Sequence, residues 1–333
     1  MSEPMDVSLF DYDLPPELIA QSPVEPRDSS RLLVLPRSGG PIEHRHFRDL
    51  AELLEGEDVL VLNDTRVSAR RLLGRRPSGG AVELLLMRSL GGNRYEALTR
   101  PARRLRPGER VIFEDAPDAV IEEAKDAGQR IVRFQGPIGG AGETPLPPYF
   151  HGTLPDPERY QTVYAAAEGS SAAPTAGLHF TKELLSRIEQ KGVRVTTVTL
   201  HVGLDTFRPL PEGPVEMHKM HGETYTIPEH TANAVRFCSG RVIAVGTTAV
   251  RVLESAGPRE QMEAGEATTR LFIKPGYEFR TVQGIVTNFH LPRTTMLLMI
   301  CAFAGRERVL AAYEEAKRAG YRFLSFGDAM VIL

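Results

Sequence analysis

The sequence predicts an α/β main domain with a mixed sheet, interrupted by an inserted, small antiparallel β-barrel. First, 333 residues exceed the usual size of one hydrophobic core. Second, short strand-like runs separated by glycine-containing turns fill residues 64–150, and third, strands alternate with helices after residue 160. The predicted domains are a discontinuous α/β domain, residues 1–63 and 151–333, and a barrel, residues 64–150.

The first half of the chain gives strands and turns. The run DVLVLND from Asp58 is apolar and β-branched and ends at Asn63-Asp64, which predicts a buried strand followed by a turn. Within the insert, GG, PG and AG turns separate four strand-like runs, AVELLLMRSL, NRYEALTR, ERVIFED and QRIVRFQG. Pro145, Pro147 and Pro148 then predict an extended exit from the insert.

The second half alternates strands with helices. TKELLSRIEQKG predicts a helix with Thr181 as N-cap and Gly192 as C-cap, and VRVTTVTLHVG follows as a strand. RVIAVG leads into a helix that Thr247 or Thr248 is expected to cap. GIVTNF leads through HLPRT into the apolar segment TTMLLMICAFAG, and ERVLAAYEEAKRAG is the last amphipathic helix. This order favours a largely parallel or mixed sheet.

The composition excludes several classes of protein. With 41% hydrophobic and 25% charged residues, the chain is not wholly disordered, collagenous or a coiled coil. The longest apolar run, from Met296 to Ala304, is about half the length of a membrane-spanning helix, and the acidic N-terminus does not resemble a signal peptide. Cys238 and Cys301 form no CxxC pair, so we expect neither a disulfide framework nor a cysteine zinc site. We expect a cytoplasmic monomer that does not bind a membrane.

The positive charge is concentrated in the predicted barrel. Although the net charge is −3, twelve arginines face only three glutamates between Arg66 and Arg110. A phosphate chain responds to local charge, because charges farther than about 8 Å apart are screened. The cluster is therefore either a surface for a polyanion or a solvated arginine-rich face, and composition alone does not separate the two.

Four polar clusters follow predicted strands. They are residues 173–181, 200–203, 246–248 and 287–290, and they carry hydroxyls, imidazoles or glycines. Open α/β sheets bind ligands at the carboxyl ends of their strands, and a helix N-terminus attracts anionic groups. Taken singly, each cluster is typical of a helix cap or a satisfied polar contact. Together they predict a ligand site.

A metal site is a competing interpretation of one other segment. His218, His221 and Glu223 have zinc-ligand chemistry, but Pro214 and Gly222 disfavour the regular helix that their spacing requires, and no HExxH motif is present. The sequence also lacks a P-loop, a GxGxxG fingerprint and a GxSxG motif. We therefore expect no metal ligands and no common nucleotide motif.

The chain resembles the S-adenosylmethionine:tRNA ribosyltransferase-isomerases of queuosine biosynthesis almost from end to end. The matching words, in order, are DYDLPPELIAQ (11–21), RDSSRLLVL (27–35), VLNDTR (61–66), PPY (147–149), YQTVY (160–164), AAPTAGLHFT (172–181), LHVG (200–203), GTT (246–248) with Arg251, TNFHLP (287–292), YRF (321–323) and FGDAM (326–330). Two positions depart from the family pattern: Asp205, where the family usually has a small residue, and Gly222, where it usually has serine.

The resemblance implies a reaction. The ribosyl part of S-adenosylmethionine is transferred to a 7-aminomethyl-7-deazaguanine base at the wobble position of tRNA and isomerised, which gives epoxyqueuosine-tRNA and releases adenine and methionine. No metal or separate cofactor is implied, because the sulfonium supplies the activation. Such chemistry needs proton transfer near neutral pH, for which histidine is suited.

Site residues follow from the matching words. We expect His179 and His290 to be the acid/base residues, followed by His201 and by His221 with Glu223, and we expect alanine at His179 or His290 to abolish turnover with little change in thermal unfolding. The predicted contacts with S-adenosylmethionine are Thr175, Gly177, Asn288, Asp28 and Asp328, with Thr247 and Thr248 at its carboxylate. Salt bridges of the two aspartates with Arg31 and Arg322 are the alternative. The predicted tRNA contacts are Arg66, Arg70, Arg71, Arg75, Arg76, Arg103, Arg104 and Tyr149.

Three other functions compete with this hypothesis. A plain RNA-binding module shares the arginine cluster but has no need for four polar strand ends. A metal-dependent hydrolase would use His218, His221 and Glu223 and would lose activity to chelators. A methyltransferase also binds S-adenosylmethionine, but it would release S-adenosylhomocysteine.

Overall fold

The computed structural model describes residues 5–125, 128–152, 154–203 and 209–333. Contacts divide the chain into a large unit, residues 1–65, 147–167 and 173–333, and a small unit, residues 66–146 and 168–172. The mixed α/β class and the antiparallel barrel predicted from the sequence are confirmed by this architecture.

The described residues form seventeen strands and six α-helices. The strands are β1 (Arg31–Leu35), β2 (Glu43–His46), β3 (Val59–Asn63), β4 (Thr65–Val67), β5 (Arg70–Arg75), β6 (Ala81–Gly91), β7 (Arg94–Arg100), β8 (Arg110–Val111), β9 (Ala119–Ala124), β10 (Gln129–Phe134), β11 (Ala167–Ser170), β12 (Arg194–Leu200), β13 (Glu223–Ile227), β14 (Val242–Val245), β15 (Gly265–Thr269), β16 (Gly284–Asn288) and β17 (Ala329–Ile332). The helices are α1 (Leu50–Leu53), α2 (Lys182–Gln190), α3 (Glu229–Arg236), α4 (Gly246–Ala256), α5 (Thr295–Ala304) and α6 (Arg306–Arg318).

The large unit contains a nine-stranded sheet in the order β15-β13-β12-β3-β14-β16-β17-β1-β2. Its central strands β12, β3, β14 and β16 are parallel, whereas β17 is antiparallel to β16 and parallel to β1. Strand β3 is buried along its whole length, as expected for a central strand covered on both faces. The four parallel strands end at Leu200, Asn63, Val245 and Asn288, so these residues lie at one edge of the sheet.

Helices cover the sheet through apolar faces. Helix α2 begins as predicted, since Thr181 Oγ1 accepts the amide of Leu184 at 3.0 Å. Its Leu184 and Ile188 are buried in a cluster with Leu60, Ile243 and other strand residues. The predicted threonine cap of α4 is wrong: the helix begins at Gly246, and Val245 precedes it without a side-chain cap. No helix of the described part of the chain is long and apolar enough to cross a membrane.

The small unit contains a six-stranded antiparallel sheet in the order β5-β6-β7-β10-β9-β8. Arg75 and Ile112 exchange two backbone hydrogen bonds, of 2.9 and 2.8 Å, which join β5 to the residue after β8 and nearly close a barrel. A Cβ on Gly74 would lie 2.7 Å from the carbonyl oxygen of Ile112, so this closure needs glycine. Strands β4 and β11 form a separate two-stranded sheet.

Candidate functional site

All four polar clusters predicted from the sequence contribute to one small cavity in the large unit. The cavity has a volume of about 40 Å³. Its lining residues are Ala173, Pro174, Thr175, Ala176, Val202, Gly246, Thr247, Thr248, Thr287, Asn288, His290 and Met296. This is space for about three water-sized groups, enough for a carboxylate.

The N-terminus of α4 forms one wall of the cavity. Gly246 has a φ of +84°, a conformation that lets the chain turn directly from β14 into the helix. Thr247 and Thr248 follow and are buried. The first amides of a helix have no carbonyl partner within the helix and carry partial positive charge. This wall therefore suits a carboxylate.

Asn63 holds the strand ends together behind this wall. Its side-chain Nδ2 donates to Leu200 O at 3.0 Å and to Thr248 Oγ1 at 3.1 Å, and its Oδ1 accepts from Leu200 N at 3.0 Å. One buried amide thus connects β3, β12 and α4. Sequence analysis missed Asn63 as a site residue. Its position at the end of a buried strand, where open α/β sheets bind ligands, is the signal that could have indicated it.

His179 is enclosed by neighbours on every polar atom. Its ring stacks on Phe47 with 4.9 Å between centroids, and its Nδ1 lies 2.7 Å from Ser30 Oγ. Asn288 Nδ2 lies 3.1 Å from Nε2 and also donates to Leu324 O at 3.0 Å. An amide NH₂ can only donate, so Nε2 of His179 accepts a hydrogen bond. Nδ1 therefore carries the ring proton and donates a hydrogen bond to Ser30 Oγ. Burial lowers the pKa of His179 to about 3, so the ring is neutral at pH 7.

Asn288 connects His179 to the cavity. Its Oδ1 accepts a hydrogen bond from Thr175 Oγ1 at 3.3 Å, and both residues line the cavity. His179 therefore fixes the orientation of the Asn288 amide and does not itself line the cavity.

His290 lines the cavity directly. Its Nε2 is 2.8 Å from Thr287 Oγ1, and its backbone amide donates to the hydroxyl of Tyr313 at 3.0 Å. Burial lowers its pKa to about 3 as well. It is a second neutral imidazole at the same edge of the sheet.

His201 differs from these two because it is only half-buried. Its Nδ1 lies 2.7 Å from Thr65 Oγ1, and among the described residues its Nε2 makes no hydrogen bond. Burial lowers the pKa of His201, while the charges of Asp64 and Glu266 oppose that shift. Of the three imidazoles it has the least hindered nitrogen.

The structure does not bring His221 or Glu223 into the cavity lining. Glu223 forms a buried ion pair with Arg251 of α4, and burial lowers the pKa of Arg251 to about 10. His221 is exposed, and His218 packs on Phe272. In the part of the chain that the structure describes, no three His, Cys, Asp or Glu side chains are grouped so that they could hold a metal ion.

Two predicted aspartates lie outside the cavity lining. Asp328 is buried, and its oxygens accept the backbone amides of Arg31 and Arg322, each at 2.8 Å. The side-chain salt bridges considered as an alternative are not formed; Asp328 instead holds the backbone. Asp28 is half-buried, and Thr181 Oγ1 lies 3.5 Å from its Oδ2.

Gly177 is required by the packing beneath the cavity. A Cβ at this position would overlap the hydroxyl of Tyr164 and would lie 2.8 Å from Cγ2 of Thr162. Within the described part of the chain, the buried hydroxyls of Tyr164 and Thr162 have no hydrogen-bond partner. Gly177 therefore allows close contact and does not line the cavity.

Of the two positions that depart from the family pattern, the structure describes Gly222 but not Asp205. A Cβ on Gly222 would lie 3.0 Å from Cγ2 of Thr268, so a side chain there would have to displace Thr268 slightly. Asp205 lies outside the described residues.

The predicted tRNA-binding arginines all lie in the small unit, and Tyr149 lies in the large unit. Arg71 and Arg76 form ion pairs with Glu83 and Glu109 at 3.4 and 2.8 Å. Arg70 donates to Ala141 O at 3.1 Å, Arg66 belongs to β4, and Arg75, Arg103 and Arg104 are exposed. The hydroxyl of Tyr149 is 2.6 Å from Ser325 Oγ.

A larger groove, of about 410 Å³, lies in the small unit. Arg70 and Arg88 line it, but Arg70 binds Ala141 O and Arg88 binds Glu96. The groove has no histidine and no helix N-terminus among its lining residues. The cavity of the large unit, although smaller, is therefore the better candidate for the site of reaction.

Comparisons with known proteins agree along the whole chain. A family model described as a queuosine biosynthesis protein matches residues 7–332. Two relatives named S-adenosylmethionine:tRNA ribosyltransferase-isomerase, from Symbiobacterium thermophilum and Heliobacterium modesticaldum, are 51% and 50% identical, over 99% of this chain and 100% of each relative. A crystal structure of the S-adenosylmethionine tRNA ribosyltransferase from Thermotoga maritima matches with a TM-score of 0.57 and 40% identity, over 98% of this chain and 100% of that one.

Proposed function

The chain belongs to the queuosine biosynthesis protein family, and from this premise we propose that it catalyses the reaction for which its relatives are named. It transfers the ribosyl part of S-adenosylmethionine to 7-aminomethyl-7-deazaguanine at the wobble position of tRNA and isomerises it. The products are epoxyqueuosine-tRNA, adenine and methionine. The observation that carries the proposal is the match of the entire chain at about half identity, combined with one cavity to which all four polar clusters contribute.

The carboxylate of the methionine part binds at the start of α4. The cavity has room for a group of this size, and its wall consists of the first turn of α4 with the hydroxyls of Thr247 and Thr248. Thr248 is held in place by Asn63. Thr175 and Asn288, on the other walls, supply a hydroxyl and an amide that orient the same substrate.

The sulfonium acidifies the C5′–H bond of the ribose. A base removes this proton, and adenine leaves C1′ with the electrons of the glycosidic bond and takes up a proton. The aminomethyl nitrogen bonds to C1′ and loses a proton, C5′ bonds to C1′ as the ring oxygen leaves it, and that oxygen then attacks C5′ and expels methionine with the electrons of the C5′–S bond. The protein must accept one proton and return one to the departing adenine. Both steps need an imidazole with an accessible nitrogen.

His201 is our first choice for this proton transfer, followed by His290. His201 has a nitrogen without a partner among the described residues, and the neighbouring Asp64 stabilises its protonated form. His290 lines the cavity but is fully buried. His179 acts as a positioning residue for Asn288, because both of its nitrogens are engaged. Asp328 holds the backbone amides of Arg31 and Arg322, and Glu223 pairs with Arg251 of helix α4.

We also propose that the protein acts as a cytoplasmic monomer without a separate cofactor. The sulfonium of S-adenosylmethionine, which is consumed, supplies the activation for the reaction. Sedimentation of the purified protein at micromolar concentration would measure its oligomeric state.

The function is tested by product analysis. The protein is incubated with S-adenosylmethionine and an anticodon stem-loop that carries the 7-aminomethyl-7-deazaguanine base, with an otherwise identical guanine stem-loop as control. Free adenine should appear only with the modified RNA. Release of S-adenosylhomocysteine in its place would make the protein a methyltransferase, and the absence of both products would direct attention to His218 and His221.

A further inference from the structure

The structure separates the arginines of the small unit into two groups. The unit contains fourteen arginines and one lysine against eleven carboxylates. Six of the arginines form ion pairs: Arg71–Glu83, Arg76–Glu109, Arg88–Glu96, Arg94–Glu122, Arg110–Asp118 and Arg133–Glu122. Much of the charge that the sequence concentrates in this region is therefore compensated by acidic side chains, several of them on strands that come later in the chain.

Residues 100–106, here called the arginine loop, are different. The loop contains Arg100, Arg103, Arg104 and Arg106, and it contains no acidic residue. All four side chains are exposed, and among the described residues none of them forms a hydrogen bond or an ion pair. Four guanidinium groups in seven residues are thus exposed without an ion pair among the described residues; Glu83, which lies opposite Arg100 in the register of β6 and β7, pairs with Arg71.

The backbone of the arginine loop is fixed by burial of Leu105 and by hydrogen bonds from Arg130. Leu105 is fully buried in the barrel core. The buried side chain of Arg130 donates from Nε to Leu105 O at 2.8 Å and from Nη2 to Ala102 O at 2.6 Å. A binding surface that is fixed beforehand loses less conformational entropy when a partner binds.

We propose that the arginine loop binds the phosphodiester backbone of the RNA substrate. This assignment rests on the proposed function. Guanidinium groups bind phosphate oxygens in a bidentate manner, and among the described residues no carboxylate forms an ion pair with these four arginines. A protein partner would need an apolar centre, whereas the one large apolar residue of the loop, Leu105, is buried.

The test compares arginines with and without carboxylate partners. Arg103→Gln/Arg104→Gln removes two uncompensated charges, and Arg88→Gln/Arg110→Gln removes two exposed charges that are paired with Glu96 and Asp118. Binding of a fluorescent anticodon stem-loop is measured by anisotropy at several KCl concentrations, with circular dichroism as a check on folding.

We expect the loop variant to bind RNA about tenfold more weakly near 0.1 M salt. The slope of its log association constant against log salt concentration should be shallower by about 1.5, which corresponds to two lost phosphate contacts. The paired-arginine variant should stay within about twofold of the wild type. Arg100→Gln/Arg106→Gln should repeat the loop result. Affinity for S-adenosylmethionine should not change in any variant.

Equal losses in the loop and paired-arginine variants would overturn the assignment, because the effect would then be one of net charge. So would unchanged RNA binding in both loop variants. If the loop variants lose RNA binding but the wild type releases no adenine with the modified stem-loop, the RNA surface stands and the proposed reaction fails.

Discussion

His179 and His290 should make the protein less stable as the pH falls below 7. Both rings are neutral in the folded protein, because burial lowers each pKa from 6.5 to about 3. In the unfolded chain the same rings bind protons below about pH 6.5. The unfolded state therefore takes up more protons, and the stabilisation present above pH 6.5 is lost progressively as the pH decreases toward 3.

The size of the effect follows from this linkage. For a ring that titrates near 6.5 when unfolded and below 4 when folded, lowering the pH from 7 to 5 costs about 2 kcal/mol of unfolding free energy. Two such rings cost about 4 kcal/mol. The variant His179→Gln removes one of them, so its loss between pH 7 and pH 5 should be about 2 kcal/mol smaller than that of the wild type.

The measurement is urea unfolding at pH 7, 6 and 5, followed by far-UV circular dichroism because the chain has no tryptophan. Titration of the carboxylates is common to both proteins and cancels in the difference. His230→Gln, on the exposed surface of α3, is the control and should keep the pH dependence of the wild type. If His179→Gln and wild type lose the same free energy, His179 is not a buried neutral ring and the reasoning about Asn288 fails with it.

Three further changes test the packing described above. Gly177→Ala should destabilise the protein by about 1–3 kcal/mol, because its Cβ would overlap the Tyr164 hydroxyl. Adding Tyr164→Phe should recover part of that loss. If the free-energy changes of the two single variants simply add up in the double variant, as measured by thermal unfolding, the overlap is contradicted. Arg130→Met should lower the unfolding free energy by about 2–4 kcal/mol, because the carbonyls of Ala102 and Leu105 lose their donor. The same variant should bind the anticodon stem-loop more weakly. Wild-type stability together with wild-type RNA binding would mean that Arg130 does not hold the loop. Glu223→Gln should cost about 3–5 kcal/mol because it leaves Arg251 buried without a counter-charge, and Glu223→Gln/Arg251→Met should be more stable than the single variant in the same denaturation assay.

Much of the architecture could be predicted because it depends on local patterns. The apolar run 59–63, the capped helix after Thr181 and the short strands of the insert each appear in the amino-acid order itself. The start of α4 was predicted two or three residues late, because Gly246 takes a positive φ that propensities do not reveal. The four polar clusters could be grouped because parallel strands place their carboxyl ends at one edge.

Burial and pairing could not be predicted, because they depend on distant residues. The sequence favours His179 as an acid or base, and only the folded structure shows that Ser30, Phe47 and Asn288 surround its ring. The arginine cluster likewise looks uniform in sequence. Its acidic partners Asp118, just before β9, and Glu122, in β9, come later in the chain, and only folding shows which arginines are paired with them.

The amide of Asn63 limits which amino acids its position can hold. Aspartate has the right length but offers no hydrogen to Leu200 O or Thr248 Oγ1, and leucine has the volume without any polar atom. Glutamine is one carbon longer, in a position that is fully buried. Aspartate and leucine at this position should therefore lose the hydrogen bonds by which the Asn63 side chain joins β3 to β12 and α4. A deep mutational scan should therefore find asparagine strongly preferred at position 63.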